Sequence, residues 1–211
     1  MDKIIYTIGR EFGSGGLDIA KELAKRLNIP LYDKELLNIA AEDSGLCEDI
    51  LKLQDEKPTS SFLYSLVMDA HSFGSYNPGG SSYMDMPLNQ KVFLAQFNAI
   101  KKAAAEGSCV IVGRCADYVL EDDPNCVSVF IHADKDVRLA RVMKSEGLSD
   151  NKAKDLIKKT DKQRSSYYNF YTNKIWGDAR SYDMTLDSGR IGKEGCVEAI
   201  IALGDYIKKY K

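Results

Sequence analysis

The sequence predicts an α/β fold built on a parallel sheet. Three short apolar runs, at residues 3–8, 109–113 and 127–131, have the composition of buried parallel strands. Helical segments separate these runs, and that alternation is typical of parallel sheets. A glycine-rich stretch, residues 9–17, joins the first strand to the first helix. Because open sheets of this kind bind ligands beyond the carboxyl ends of their strands, we expect the functional site there.

The composition of the 211-residue chain narrows the classes of function. Its net charge of −2 supplies no broad basic surface, so we expect no nucleic acid among its partners. No apolar run approaches the ~20 residues that span a bilayer, and the first residues lack the pattern of a secretory leader. The five cysteines include no C-x-x-C pair, which argues against disulfides and structural zinc. We therefore expect a cytoplasmic protein with no membrane partner and no metal held by the protein itself.

Residues 9–17, GREFGSGGL, have the character of a ligand-binding turn. The helix after them carries its apolar residues at helical spacing, at Ala20, Leu23, Ala24 and Leu27. Glycines let backbone N–H groups point at an anion, and the helix N-terminus adds its positive dipole end. The stretch predicts a phosphate held by the N–H groups between Phe12 and Leu17. The alternative is a turn that only joins strand to helix.

The P-loop pattern is Gly, four residues, Gly, Lys, then Ser or Thr. Here Gly9 and Gly13 lie four apart, or Gly13, Ser14 and Gly15 form the final turn with Gly16 at the lysine position. Neither register places a lysine in the loop. A cation that serves phosphates at this loop would therefore have to be a residue other than the lysine of the pattern.

A short strand and several helices are expected after the first helix. Residues 28–33 read as a turn and a very short strand, after which Asp33 is placed to cap a helix that Gly45 ends. Residues 48–54 predict a short helix and residues 92–106 a long one.

The region between those two helices has the composition of a linker and a loop. Residues 55–61 are linker-like, and Gly, Ser, Asn and Pro dominate residues 72–87, which predicts a long mobile loop. We take residues 46–90 as a helical, acceptor-binding lobe inserted into a single domain that spans residues 1–211. The loop could close over a substrate or be flexible without a function. The aromatic residues at 62–83 could serve a homodimer interface as readily as a lid.

Arginines follow the two later strands. Arg114 comes directly after the strand at 109–113, and a basic residue at that edge needs a counter-charge. A bound anion or a structural carboxylate could supply it. After the strand at 127–131, Asp134 is placed as the N-cap of a helix that carries Arg138 and Arg141.

The last third of the chain begins with a cationic segment at residues 149–181. It contains eight lysines and arginines, interleaved with Tyr167, Tyr168 and Tyr171. The segment could be a solvated helix face or a lid whose cations meet phosphates. Residues 182–187 read as the final strand and residues 196–208 as the closing helix.

In their order and spacing these motifs resemble the cytidylate-kinase-like proteins, a branch of the nucleoside-monophosphate kinases with the P-loop fold. The matching stretches, in chain order, are residues 9–16, residues 110–117 (VIVGRCAD), residues 130–131 with Arg138 and Arg141, residues 161–164 and residues 182–188.

The resemblance implies a P-loop NTPase three-layer fold with a five-stranded parallel sheet in the order 2-3-1-4-5. It also implies ATP as cofactor, Mg²⁺ bound with the nucleotide, and small-molecule nucleotide substrates such as CMP. The residues implied to bind ATP are Arg10, Gly13, Ser14, Gly15, Gly16 and Leu17. The residues implied to act in catalysis are Arg114, Asp161 and Arg164. The residues implied to bind the acceptor are Asp33, Arg114, Asp117, Arg138 and Arg141.

Two positions depart from the family pattern. Gly16 stands at the loop lysine, and Cys115 stands at the aspartate that reads the nucleotide, with Asp117 two residues on. One hypothesis is an ATP-dependent kinase for CMP, in which Arg10, Arg114 or a lid cation replaces the lysine. A second is a kinase for a hydroxylated metabolite such as shikimate, and a third is a non-catalytic nucleotide-binding or regulatory protein. The first two require arginines that converge on the loop, and the third does not.

Overall fold

The computed structural model describes residues 3–56 and 86–210. The strands are β1 (Ile5–Arg10), β2 (Leu31–Tyr32), β3 (Cys109–Val112), β4 (Cys126–His132) and β5 (Met184–Asp187). They form one parallel sheet in the order β2-β3-β1-β4-β5, which confirms the predicted fold class and strand order. The three short apolar runs of the sequence form the three central strands.

Helices cover both faces of the sheet. In the described residues they are α1 (Gly16–Leu27), α2 (Glu35–Ser44), α3 (Glu48–Gln54), α4 (Leu88–Glu106), α5 (Ala116–Val119), α6 (Lys135–Glu146), α7 (Asp150–Thr172) and α8 (Ser188–Lys209). Helices α1 and α8 share one apolar core with the sheet, and α2, α3, α4 and α5 share a second core on the opposite face. The result is a three-layer arrangement, as predicted.

The central strand β1 shows why its sequence is apolar almost throughout. Ile5 packs into the core with α2 and α4, and its neighbour Tyr6 packs into the core with α1 and α8. Both side chains are fully buried because parallel strands in this fold are covered on both faces. The carboxyl ends of β1, β3, β4 and β5 meet at one edge of the sheet, where the glycine-rich loop begins.

An aromatic cluster positions α7 across that edge. Tyr167, Tyr168 and Tyr171 of α7 are buried, and the Tyr171 ring stacks on Phe93 of α4 with centroids 4.0 Å apart. Phe130 of β4 belongs to the same cluster. Aromatic packing of this kind fixes the C-terminal half of α7 and so directs the preceding turns towards the loop after β1.

Two capping expectations differ from the structure. Lys34, and not Asp33, occupies the N-cap position of α2, and no side chain caps that helix. Asp134 lies at the N-cap position of α6 as expected, but its side chain makes no capping hydrogen bond. Asp33 instead lies beside the buried guanidinium of Arg114, which contacts both its backbone carbonyl and its carboxylate.

Only part of the predicted lobe at residues 46–90 lies within the described residues. Its first helix, α3, lies where the sequence placed it, and Gly45 ends α2 in a left-handed conformation with φ of 71°. The loop expected at residues 72–87 lies almost wholly outside the described residues. Among the helices that the structure does describe, none combines the length and apolar character needed to cross a membrane.

Candidate active site

The loop between β1 and α1 has the backbone that its glycines predict. Gly13 and Gly15 have φ of 78° and 80°, in the left-handed region that other residues rarely adopt. Ser14, between them, is fully buried. Its hydroxyl donates to the Glu11 carbonyl at 2.8 Å and accepts from the Gly16 N–H at 3.3 Å. Ser14 therefore shapes the loop from inside.

Half of the N–H groups expected to hold an anion are used within the protein. The N–H of Phe12 donates to Asp161, that of Ser14 to the Glu11 carbonyl, and that of Gly16 to the Ser14 hydroxyl. The N–H groups of Gly13, Gly15 and Leu17 have no hydrogen-bond partner in residues 3–56 and 86–210. They lie at the N-terminus of α1, where unpaired N–H groups and the helix dipole favour an anion. The anion site stays a prediction, and the N–H groups that remain as its donors are those of Gly13, Gly15 and Leu17.

Asp161 of α7 holds the loop in place. One of its carboxylate oxygens accepts from the Phe12 N–H at 2.8 Å, and the other accepts from Nη1 of Arg138 at 2.5 Å. Arg138 is 6% exposed and also donates to the Phe12 carbonyl at 3.2 Å. In this arrangement both residues fix the loop backbone. The predicted catalytic role of Asp161 and the predicted acceptor contact of Arg138 remain predictions.

Arg141 of α6 reaches the same loop through neutral partners. Its Nη1 donates to the Ser14 carbonyl at 2.8 Å and to the Ser188 hydroxyl at 2.9 Å, and its Nη2 donates to the Ser188 carbonyl at 3.1 Å. No carboxylate in the described part of the chain forms an ion pair with Arg141. Its positive charge is therefore available to an anion bound at the loop.

A cavity of about 920 Å³ lies along the loop at the carboxyl edge of the sheet. Its volume falls within the usual range for ligand-binding clefts. Four arginines line it together with the loop and the carboxylates of Asp33, Asp55 and Glu56: Arg10, Arg114, Arg141 and Arg164. Sequence reasoning expected arginines to converge at this edge, and the structure brings these four together. Asp161 and Arg138 lie behind the loop and do not line the cavity.

Glu56 bridges two of these arginines. Its Oε1 accepts from Nη1 of Arg10 at 2.9 Å, and its Oε2 accepts from Nε of Arg164 at 3.4 Å. Burial alone would raise the pKa of Glu56, but Arg10, Arg164 and Arg114 outweigh burial and lower it to about 2. The pKa of Arg164 is lowered to about 10 by its burial and by the nearby charge of Arg10. One carboxylate thus serves two guanidinium groups.

Arg114 is the most enclosed of the four arginines, with 4% of its surface exposed. Its Nε and Nη2 donate to the two oxygens of Asp55 at 2.9 and 2.7 Å. Its Nη1 donates to the backbone carbonyl of Asp33 at 2.7 Å and approaches the Asp33 carboxylate at 3.4 Å. A structural carboxylate, that of Asp55, therefore supplies a counter-charge to Arg114, and the predicted contact of Arg114 with a bound anion stays a prediction.

Asp117 lies apart from the cavity, beside the aromatic cluster. Its Oδ2 accepts from the Tyr168 hydroxyl at 2.6 Å, and burial raises the pKa of Asp117. Cys115 is 3% exposed and sits in a left-handed conformation with φ of 57°, and burial raises the pKa of its thiol far above the usual value. In the free protein Asp117 binds the end of α7, and its predicted acceptor contact stays a prediction.

Sequence reasoning missed Asp55, Glu56 and Ser188. The two carboxylates belong to a segment that reads as a linker, yet both turn inwards to meet buried arginines. The available signal was charge balance, since arginines placed at a buried sheet edge require carboxylates from some other segment. Ser188, which Arg141 contacts, begins α8 directly after β5 and gave no pattern of its own.

Comparison with known proteins found relatives in sequence and in structure. The cytidylate kinase of Methanopyrus kandleri is 23% identical to this chain over 201 residues, which cover 89% of this chain and 86% of that protein. The crystal structure of an uncharacterized protein from Eubacterium ventriosum is 36% identical, with a TM-score of 0.70, and covers 96% of this chain and 99% of that one.

The shikimate kinase of Bacteroides thetaiotaomicron has the same fold. Its TM-score is 0.53 at 15% identity, and the match covers 97% of this chain and 99% of that one. The sequence profile of the cytidylate kinase-like family matches residues 5–190. That match covers most of the chain, including β1, the loop, all four cavity arginines and the start of α8. The chain therefore belongs to the cytidylate kinase-like family.

Proposed function

We propose that this protein transfers a phosphoryl group from ATP to a small nucleotide acceptor, with CMP as the leading candidate. The observation that carries the proposal is the cavity at the carboxyl edge of the sheet. There the unpaired N–H groups of the loop and four arginines line one space. Phosphoryl transfer needs positioning and neutralised charge more than covalent chemistry, and this cavity offers both.

The loop would hold the ATP phosphates. The N–H groups of Gly13, Gly15 and Leu17 supply neutral donors, and Arg141 supplies a charge that no described carboxylate neutralises. Asp161 and Arg138 keep these donors in position because they bind the backbone of Phe12 from behind. Ser14 and Gly16 contribute the shape of the loop and not a side-chain contact.

For Mg²⁺ the chain offers fewer groups than a P-loop usually does. The P-loop pattern ends in Ser or Thr, and Leu17 stands at that position. In the described residues no three His, Cys, Asp or Glu side chains are grouped as a metal site. The residues present fit an ion that arrives with the nucleotide and is coordinated by phosphate oxygens and water. When bound, such an ion neutralises charge on the transferring phosphates.

The acceptor would lie on the side of the cavity formed by Asp33, Arg114 and Arg164. Arg164 on α7 is half-buried, and among its hydrogen bonds within the described residues one is with a carboxylate. Asp55 and Asp33 hold Arg114 in place through hydrogen bonds. We assign two roles to Arg114: it forms this wall of the cavity, and it contacts the acceptor. The choice of CMP draws on the relatives named as cytidylate kinases, whose identity to this chain is low.

A second candidate is a protein that binds nucleotides without turning them over. The observation in its favour is the pair of loop positions Gly16 and Leu17, which replace the lysine and the hydroxyl of the pattern. Calorimetric titration with Mg·ATP measures binding, which both candidates predict, so a measurement of turnover has to decide between them, because only the first converts ATP.

The deciding experiment is a coupled assay with ATP and Mg²⁺ across nucleoside monophosphates and small hydroxylated metabolites. We expect ADP release that depends on CMP and exceeds the rate with any neutral metabolite. ADP release with a hydroxylated metabolite alone would reassign the acceptor. ATP binding without ADP release under any condition would favour the non-catalytic candidate. When arginine variants are tested in this assay, Arg180→Ala is the control for the loss of one positive charge, because Arg180 is exposed and paired with Asp178.

A further inference from the structure

The side chain of Arg10 lies over two glycines. A Cβ added to Gly16 would lie 2.6 Å from the Cβ of Arg10 and 3.2 Å from its Cγ. At the other end, a Cβ added to Gly113 would lie 2.9 Å from the Cζ of Arg10 and would also meet its Nη1. The Arg10 side chain therefore runs from the start of α1 to the end of β3, across the region between the loop and the acceptor side of the cavity.

A side chain at position 16 would clash sterically with Arg10. Gly16 is absent from the glycines with positive φ, so its backbone does not require glycine. Real Cβ atoms essentially never approach other heavy atoms to less than 3.0 Å. The Cβ of Arg10 is fixed to the backbone, and no rotamer of Arg10 moves it away. A side chain at position 16 and the arginine at position 10 therefore exclude each other in this backbone.

The guanidinium of Arg10 has capacity left for a ligand. Glu56 takes one hydrogen bond from its Nη1, and no further side-chain partner of Arg10 is found in the described residues. Because Glu56 also serves Arg164, the group formed by Arg10, Glu56 and Arg164 carries an excess positive charge. An excess cation that is largely buried in a cavity favours an anion there.

We propose that the guanidinium of Arg10 replaces the loop lysine as the cation on the phosphoryl group that is transferred. The proposal rests on the proposed function and adds a catalytic residue to it. In the transfer, the bond between the γ-phosphorus and the β–γ bridging oxygen breaks, and its electron pair stays on ADP. An oxygen of the acceptor phosphate forms the new bond to phosphorus. Arg10 neutralises charge on the oxygens of the moving group, with two donors where a lysine offers a point charge.

Because a side chain at position 16 clashes with Arg10, replacing the two residues singly and together tests the proposal. Gly16→Lys restores the lysine of the pattern but places its Cβ against Arg10, so we expect a lower melting temperature and weaker Mg·ATP binding. Arg10→Gly removes the blocking atoms and the cation, so we expect ATP to bind at least about ten-fold more weakly. In the double variant the lysine has room, and ATP affinity should return to within a few-fold of the wild type. Arg180→Gly is the matched control for loss of an arginine.

A second variant guards against misfolding. Arg10→Met keeps a stem of similar length over Gly16 and removes only the guanidinium. We expect its melting temperature to stay near that of the wild type, ATP affinity to fall about ten-fold and turnover to fall about a hundred-fold. Arg10→Lys, which keeps the charge, should restore part of the turnover.

The outcomes are distinct. The proposal is overturned if Arg10→Met binds and converts ATP as the wild type does, or if Gly16→Lys alone binds ATP more tightly at unchanged stability. It is supported if the double variant binds ATP better than either single variant. If the wild type binds neither ATP nor inorganic tripolyphosphate, the proposed function fails together with the role of Arg10. The melting temperatures would still show whether positions 10 and 16 exclude each other.

Discussion

Asp55 holds the guanidinium of Arg114 with both of its carboxylate oxygens, which lie 2.9 Å from Nε and 2.7 Å from Nη2. The pair is enclosed, and burial raises the pKa of Asp55 although Arg114 opposes that shift. The same Asp55 accepts from the side-chain amide of Gln96 in α4 at 3.0 Å. Arg114 is thus tied to the protein as well as to the cavity, and its replacement should have two effects.

Arg114→Ala should lower both stability and activity. Removal of one partner of a buried ion pair leaves the other charged and unpaired, and such changes cost roughly 3–5 kcal/mol. Urea denaturation followed by circular dichroism measures this loss. The variant Arg114→Ala with Asp55→Ala should recover part of the stability and none of the activity towards the acceptor. If Arg114→Ala changes turnover and leaves the free energy of unfolding unchanged, the ion pair with Asp55 has no structural role.

The pH dependence of stability should carry the signature of Glu56. Its pKa in the folded protein, about 2, lies below its ordinary value of 4.5, so its contribution is full above 4.5 and is lost as pH falls towards 2. Glu56→Gln removes that contribution, which the difference between the two pKa values puts at about 3 kcal/mol near neutral pH. The gap in unfolding free energy between wild type and variant should therefore narrow between pH 4.5 and pH 3.

The neighbouring Asp55 changes stability with pH in the opposite direction to Glu56. Because its pKa is raised in the folded protein, its protonation favours the folded state as pH falls. The part of this effect that comes from burial is common to wild type and Glu56→Gln and cancels in their comparison, whereas the part that comes from the charge of Glu56 is lost in the variant. A gap that stays constant from pH 7 to pH 3 would show that Glu56 is not held ionised by Arg10 and Arg164.

Asp161→Ala should loosen the loop. It removes the acceptor of the Phe12 N–H and the partner of Arg138, both of which lie behind the loop. We expect faster hydrogen exchange at the Phe12 amide and weaker binding of Mg·ATP, since the donors at Gly13 and Gly15 lose their fixed position. Asp155→Ala, an exposed carboxylate on the same helix, is the control. Unchanged exchange at Phe12 in Asp161→Ala would show that the loop holds its shape without the clamp.

The lid predicted at residues 149–181 should respond to ligand in only part of its length. Tyr167 and Tyr171 are buried against Phe93, so exchange from Tyr167 to Thr172 should be slow with and without ligand. Mg·ATP and CMP together should slow exchange in the turns around Asp161 and Arg164. Hydrogen exchange read by mass spectrometry distinguishes the two halves. Fast exchange across the whole helix in the free protein would contradict an anchored C-terminal half.

The sheet and the loop could be predicted because their signals are local. A buried parallel strand is apolar along its whole length, and a turn such as that of Gly13 and Gly15 requires glycine whatever surrounds it. The arginine after β3 could likewise be placed at the sheet edge from its position in the sequence alone.

The partners of those arginines could not be predicted, because they depend on contacts between distant segments. Glu56 contacts Arg164, which lies 108 positions later in the sequence. The segment that contains Glu56 has the composition of a linker. Asp33 has the sequence position of a helix cap, but the carbonyl and carboxylate of Asp33 turn to Arg114. From the sequence, Gly16 is the position at which the lysine of the pattern is missing. The structure adds that the side chain of Arg10 lies against Gly16.

The measurement that tests the account most directly is phosphorus NMR of the purified protein with ATP, Mg²⁺ and CMP. We expect the resonances of ADP and CDP to grow at equal rates, and Arg10→Met from a parallel preparation to slow both by about a hundred-fold. The parallel loss excludes a contaminating kinase, and Arg180→Ala should leave the rates unchanged. Spectra of ATP and CMP that do not change over hours at high protein concentration would contradict the proposed phosphoryl transfer.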